Sequence, residues 1–95
     1  MSRRKVTPEQ LTALAMRFRA LSEVSRLQIV HALHEGPRTV TELVSITGLS
    51  QPNVSRHLQV LTLAGLIERT RKGTTIECRI IDKTLFKVCD LLCRG

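Results

Sequence analysis

The sequence predicts an α+β fold, mostly helical, in the order four helices, a β-hairpin and one closing helix. Three observations lead there. Apolar residues recur at three- and four-residue steps as far as Gly65, and the period then drops to two between Leu66 and Ile81. Capping residues, Pro or Gly mark each change of direction. The chain has 95 residues, no Trp or Tyr and two Phe, so it has room for one small domain with a thin aliphatic core. A core of that size is often completed by a second copy of the chain.

Each element follows from its own residues. Thr7-Pro8-Glu9-Gln10 opens a first helix over about 8–21, with Thr7 as N-cap, Pro8 where its missing N–H costs nothing, and Gln10 closing a capping box. Leu11, Leu14, Phe18 and Leu21 form one stripe beside Arg17 and Arg19. Ser22 is the expected cap of a second helix carrying Leu27, Val30 and Leu33, which Gly36-Pro37 ends. Thr39 and Glu42 make a second capping box for a short helix reaching Thr47, and Gly48 supplies a turn. Ser50 caps a fourth helix, Pro52 lies in its first turn, Val54, Leu58 and Leu61 point inward, and Gly65 closes it. Leu66 to Arg71 reads as a strand and Lys72-Gly73-Thr74 as a turn. The next strand, Thr75 to Ile81, places Ile76, Cys78 and Ile80 on one face, with Cys78 expected in the core. Asp82 caps a last helix over about 83–93 carrying Leu85, Val88 and Leu92.

Composition narrows the function. A formal net charge of +7 and a pI near 10.4 are the electrostatic footprint of a nucleic-acid binder. Scarce aromatics argue against stacking on single strands. No stretch combines a basic face with bulky apolar anchors, so no membrane contact is expected. Ser2-Arg3-Arg4-Lys5 is not followed by an apolar leader, and no run reaches membrane length; a cytoplasmic chain with reduced thiols is expected. No nucleophile elbow, phosphate-cradling glycine loop or working carboxylate pair is present, so the chain does not read as an enzyme.

The functional signal is "GLSQPNVSRHLQVL", residues 48–61. A short capped helix, a glycine turn and a second helix make a helix-turn-helix over about 39–64, a unit whose second helix enters the major groove. Gln51, Ser55, Arg56 and Gln59 fall opposite Val54, Leu58 and Leu61. Amides, a hydroxyl and a guanidinium suit base edges: Arg pairs with guanine, Gln with adenine, and Ser serves several partners. His57 lies between the two faces, placed either to pack within the domain or to touch DNA. Arg69, Arg71, Lys72 and Arg79 cluster near the hairpin turn, where Gly73 lets a basic wing over about 66–81 approach a phosphate backbone.

With "FRALSEVSRLQIVHAL", "VTELVSITGLSQPNVSRHLQVLTLAGLIERTRKG" and the closing helix, the chain resembles the ArsR/SmtB winged helix-turn-helix repressors from Leu11 to about Leu92. The most specific part is Leu49-Ser50-Gln51 with Val54-Ser55-Arg56-His57-Leu58 and Leu61, followed by Gly65-Leu66-Ile67. The resemblance implies a winged helix (α-α-α-α-β-β-α) that homodimerises through its first and last helices. It also implies binding to an imperfect palindrome in double-stranded DNA and release when an inducer binds. It carries a base-facing set onto Gln51, Asn53, Ser55 and Arg56, phosphate contacts onto Thr41 and Ser50, and the wing onto Arg71 and Lys72.

The chain departs from the family where inducers are sensed. Leu43-Val44-Ser45-Ile46 stands in place of a Cys-x-Cys in the third helix, and the last helix has no His. Cys89 and Cys93 remain, one turn apart at the edge of the Leu85/Leu92 stripe. Two such thiolates suit As(III) or Zn(II) with a further ligand, oxidation, or bridging through persulfide sulfur. Equally, they suit a dimer interface as small apolar residues. His31 and His34 lack a third ligand nearby in sequence. The other readings are a regulator with inert cysteines under a partner protein, and a metal-buffering or protein-interaction module that keeps the scaffold alone.

Overall fold

A computed structural model describes residues 5–94. Its elements are α1 (Pro8–Ala20), α2 (Val24–His34), β1 (Arg38–Thr39), α3 (Val40–Thr47), α4 (Gln51–Leu63), β2 (Ile67–Lys72), β3 (Thr75–Ile80) and α5 (Lys83–Arg94). Local chemistry sets most of the helix starts. The Thr7 hydroxyl accepts the Gln10 amide at 3.1 Å, and the Thr39 hydroxyl accepts the Glu42 amide at 3.1 Å. In each box the side chain at the third position returns the bond, Gln10 at 3.0 Å and Glu42 at 2.9 Å. Asp82 Oδ1 accepts the Leu85 amide at 3.0 Å and so caps α5.

The start of α2 corrects the expected Ser22 cap. The Ser22 hydroxyl turns back and donates to the Arg19 carbonyl at 2.7 Å. Glu23 caps instead, its two carboxylate oxygens accepting the Ser25 and Arg26 amides at 3.1 Å each. One carboxylate reaches two orphan amides, where a hydroxyl already committed to α1 reaches none.

The expected hairpin is β2–β3, antiparallel in the register Ile67↔Ile80, Arg69↔Cys78 and Arg71↔Ile76. A third strand, which the sequence pattern does not announce, extends it. β1 pairs with β3 through Arg38↔Cys78 and Thr39↔Glu77, giving the order β1-β3-β2. Two residues are too few to show an alternating pattern, so only the pairing reveals this strand.

The core lies among α2, α3, α4 and the inner face of the hairpin. Ile29, Leu43, Val54, Leu58, Leu61, Ile67 and Cys78 are fully buried there. Leu21 joins from the end of α1 and Leu85 from α5. The remainder of those two helices leaves large apolar side chains uncovered: Leu11 is 56% exposed, Phe18 52%, Leu91 70% and Leu92 77%. Leu27, expected inside with Val30 and Leu33, is 40% exposed; Ile29 occupies the interior instead. No helix among the described residues is long and apolar enough to cross a membrane.

Candidate nucleic-acid interface

Gly48 makes the sharp turn between α3 and α4. Its φ of 72° is left-handed, and its amide donates to the Val44 carbonyl at 3.0 Å. Ser50 then starts α4 in extended conformation, its hydroxyl accepting the Asn53 amide at 3.3 Å. Burial of Val54, Leu58 and Leu61 fixes which way α4 faces. Gln51, Asn53, Arg56 and Gln59 are left exposed and Ser55 half-buried. Among the described residues, none of these five side chains makes a hydrogen bond or ion pair within the protein. Thr41 stands exposed at the start of α3, its hydroxyl likewise without a partner among the described residues. Thr39 holds the Glu42 carboxyl below its ordinary value through its backbone amide and then its hydroxyl, with Arg38 adding a smaller pull.

β2 follows α4 directly, the Leu66 amide donating to the Leu61 carbonyl at 3.1 Å, and packs against it. Register sorts the basic residues of the wing onto two faces. Glu68, Thr70 and Lys72 pair across the strands with Arg79, Glu77 and Thr75, and share the outer face with them. There Lys72 Nζ meets Glu77 Oε1 at 3.0 Å, and Arg79 is paired with Glu68. Arg69 and Arg71 lie on the other face, that of Ile67, Cys78 and Ile80, but beyond the edge of the core. Both are exposed, and among the described residues neither forms an ion pair. Arg71 is thus a free cation, Lys72 is occupied, and Arg69 is a free cation that the carried-over pair Arg71/Lys72 leaves out. Only strand register separates the two sets.

His57 faces inward. Its Nδ1 is 3.3 Å from Arg26 Nη1 and 3.7 Å from Glu23 Oε2, and its side chain is 18% exposed. Sequence reading missed Glu23 and Arg26 as its partners; the three-residue spacing of a carboxylate and an arginine at a helix start was the available signal.

On α5 the two thiols part company. Cys89 is half-buried against the core, and burial, followed by the neighbouring Cys93, pushes its thiol above the ordinary value. Cys93 is exposed. Among the described residues no three His, Cys, Asp or Glu side chains come together as a metal-binding group. Two thiols fall short of the four ligands of a closed zinc site, so the described residues of one protomer do not by themselves make up such a site. His34 stacks on Phe86 with ring centroids 4.1 Å apart.

Comparison with known proteins places these features in a group. Residues 23–69 match the family model for bacterial regulatory proteins of the arsR family. The chain is 39% identical over 77 residues to the HTH-type transcriptional repressor SmtB of Mycobacterium tuberculosis, covering 81% of this chain and 57% of that protein. It spans a little over half the length of the curated relatives it matches. Among solved structures it is similar to the homodimeric winged helix-turn-helix DNA-binding domain Mb0332 of Mycobacterium bovis. That similarity has a TM-score of 0.86 and 30% identity over 99% of this chain and 91% of that one. It is also similar to the transcriptional repressor BigR of Xylella fastidiosa, with a TM-score of 0.79 and 30% identity over 88% and 86% of the two chains.

Proposed function

Since the chain belongs to the ArsR family of bacterial regulatory proteins, we propose that it is a homodimeric repressor that seats α4 in the major groove of a palindromic operator. One observation carries this reading. α4 is locked from beneath by three fully buried side chains and presents Gln51, Asn53, Ser55 and Arg56 with no hydrogen-bond or ion-pair partner among the described residues. In this reading these four read base edges, and Thr41 and Ser50 contact phosphates. Arg71, joined by Arg69, grips the flanking backbone. Lys72 joins them by exchanging Glu77 for a phosphate, an exposed pair whose loss costs little. The uncovered apolar faces of α1 and α5 support dimerisation through those helices. In this reading inducer response lies at Cys89 and Cys93, with a second protomer supplying the further ligands that a metal or metalloid needs.

The test is fluorescence anisotropy of the reduced protein on a labelled fragment of its own promoter, at fixed salt. Arg56→Ala weakens specific binding by about 1–3 kcal/mol if Arg56 reads a base. Unchanged affinity in that variant overturns the assignment of α4. Arsenite, zinc and a persulfide donor are then added in turn. Release by one of them that disappears in Cys89→Ser/Cys93→Ser identifies the inducer chemistry, whereas release that persists in that variant removes the cysteines from it.

A further inference from the structure

We propose that His57 is a positioning residue, which with Arg26 pins the reading helix to the end of α1 and so sets the angle at which α4 is offered to DNA. The inference rests on the DNA-reading role of α4 given above. One guanidinium spans three helices. Arg26, on α2, donates through Nε to the Ala20 carbonyl at 2.6 Å and through Nη2 to the Arg19 carbonyl at 3.4 Å. Those are the last two carbonyls of α1, of which that of Arg19 also accepts the Ser22 amide at 3.2 Å and the Ser22 hydroxyl at 2.7 Å, so the shorter Ala20 bond carries the link. Its remaining nitrogen, Nη1, meets His57 Nδ1 on α4 at 3.3 Å. Arginine only donates, so this bond requires His57 to accept at Nδ1 and carry its proton on Nε2. Glu23, which caps α2 by accepting the Arg26 amide at 3.1 Å, stands 3.7 Å from the same Nδ1.

The arrangement matters because of what else holds α4. Val54, Leu58 and Leu61 bury it, but apolar contact is non-directional and resists separation better than a small rotation. Among the described residues, no side chain outside this Arg26/Glu23 cluster hydrogen-bonds or ion-pairs with an α4 side chain. A fork with fixed geometry therefore adds a directional restraint on small rotations to the facing that the buried side chains already set. It reaches from the helix whose exposed Leu11 and Phe18 are proposed to face the second protomer to the helix proposed to face DNA.

A double-mutant cycle on operator affinity tests this, read by anisotropy below the thermal transition of each variant. His57→Leu and Arg26→Leu each weaken binding about tenfold, and the double variant is no weaker than the worse single one, because both remove one link. His57→Asn, which returns an acceptor near the Nδ1 position, recovers most of the affinity. Arg26→Lys, which keeps charge without the fork and guards against misfolding of the Leu variant, does not. The salt dependence of binding and the preference among operator variants stay as in the wild type. Losses that multiply in the double variant overturn the proposal, as does a changed base preference in His57→Leu, because His57 would then touch DNA itself. A wild-type protein that binds no DNA overturns the function proposed above and this role with it; wild-type binding with multiplying losses overturns this role alone.

Discussion

The three cysteines show how far one residue type diverges with its surroundings. Cys78 is fully buried in the sheet, and burial pushes its thiol from an ordinary 9.0 up to about 11, against a small opposing pull from Arg69. Cys89 is raised by partial burial and by Cys93, while Cys93 itself is exposed. Because the thiolate is the reactive form, iodoacetamide at neutral pH modifies Cys93 first, Cys89 more slowly and Cys78 only after unfolding. Timed mass spectrometry of the native protein reads this order, and equal rates at Cys89 and Cys93 would refute the packing of Cys89. Linkage adds a pH dependence. The unfolded chain gives up the Cys78 proton near pH 9 and the folded chain near 11, so across that window the folded state holds more protons. Stability is therefore full below pH 9 and falls as pH rises towards 11. Urea midpoints at both ends of the window measure the fall, and Cys78→Ala flattens it.

At the scale of elements, the helix starts were the most legible feature, and the reason is distance along the chain. Thr7 with Gln10 and Thr39 with Glu42 act over three residues, and both boxes form as the sequence implies. Thr39→Ala, which strips the cap of α3, is expected to cost about 1 kcal/mol, read from urea unfolding at pH 7. The effect shrinks in acid: the bonds from Thr39 keep the Glu42 carboxyl below its ordinary value, so their stabilisation is lost as pH falls through that lowered value. An equal cost at pH 7 and in acid would show that Glu42 takes no part. The start of α2 was misread because Ser22 and Glu23 are both competent caps, and the choice lies with the Arg19 carbonyl that captures Ser22. β1 was invisible for a different reason, since two residues carry no period and β3 lies almost forty positions away.

For the whole molecule, the distribution of apolar surface decides more than the core does. α2, α3, α4 and the hairpin share one small interior, whereas α1 and α5 turn Leu11, Phe18, Leu91 and Leu92 outward. Apolar surface of that extent on two elements marks an association site, and covering it would give the chain the larger core that its length denies it. Phe18→Asp/Leu92→Asp is expected to shift sedimentation from dimer to monomer. A monomer engages a single half-site, so operator binding should weaken by at least tenfold. A wild-type protein that sediments as a monomer at micromolar concentration would place these residues elsewhere than in a dimer interface.

By itself the sequence determined the helices, the glycine turn at Gly48, the inward set Val54, Leu58 and Leu61, and the outward Gln51, Arg56 and Gln59, with Ser55 of the same expected face half-buried. Periodicity and caps act between neighbours a few residues apart, so they can be read along one line of text. Only the tertiary structure decided that His57 turns inward to an arginine 31 residues away. It alone decided that, among the described residues, Arg69 and Arg71 form no ion pair while Lys72 and Arg79 do, and that Cys89 lies against the core while Cys93 does not. Each of these outcomes is a choice among partners of similar chemistry. The choice is made by strand register and helix packing, which bring together residues that the chain itself keeps far apart.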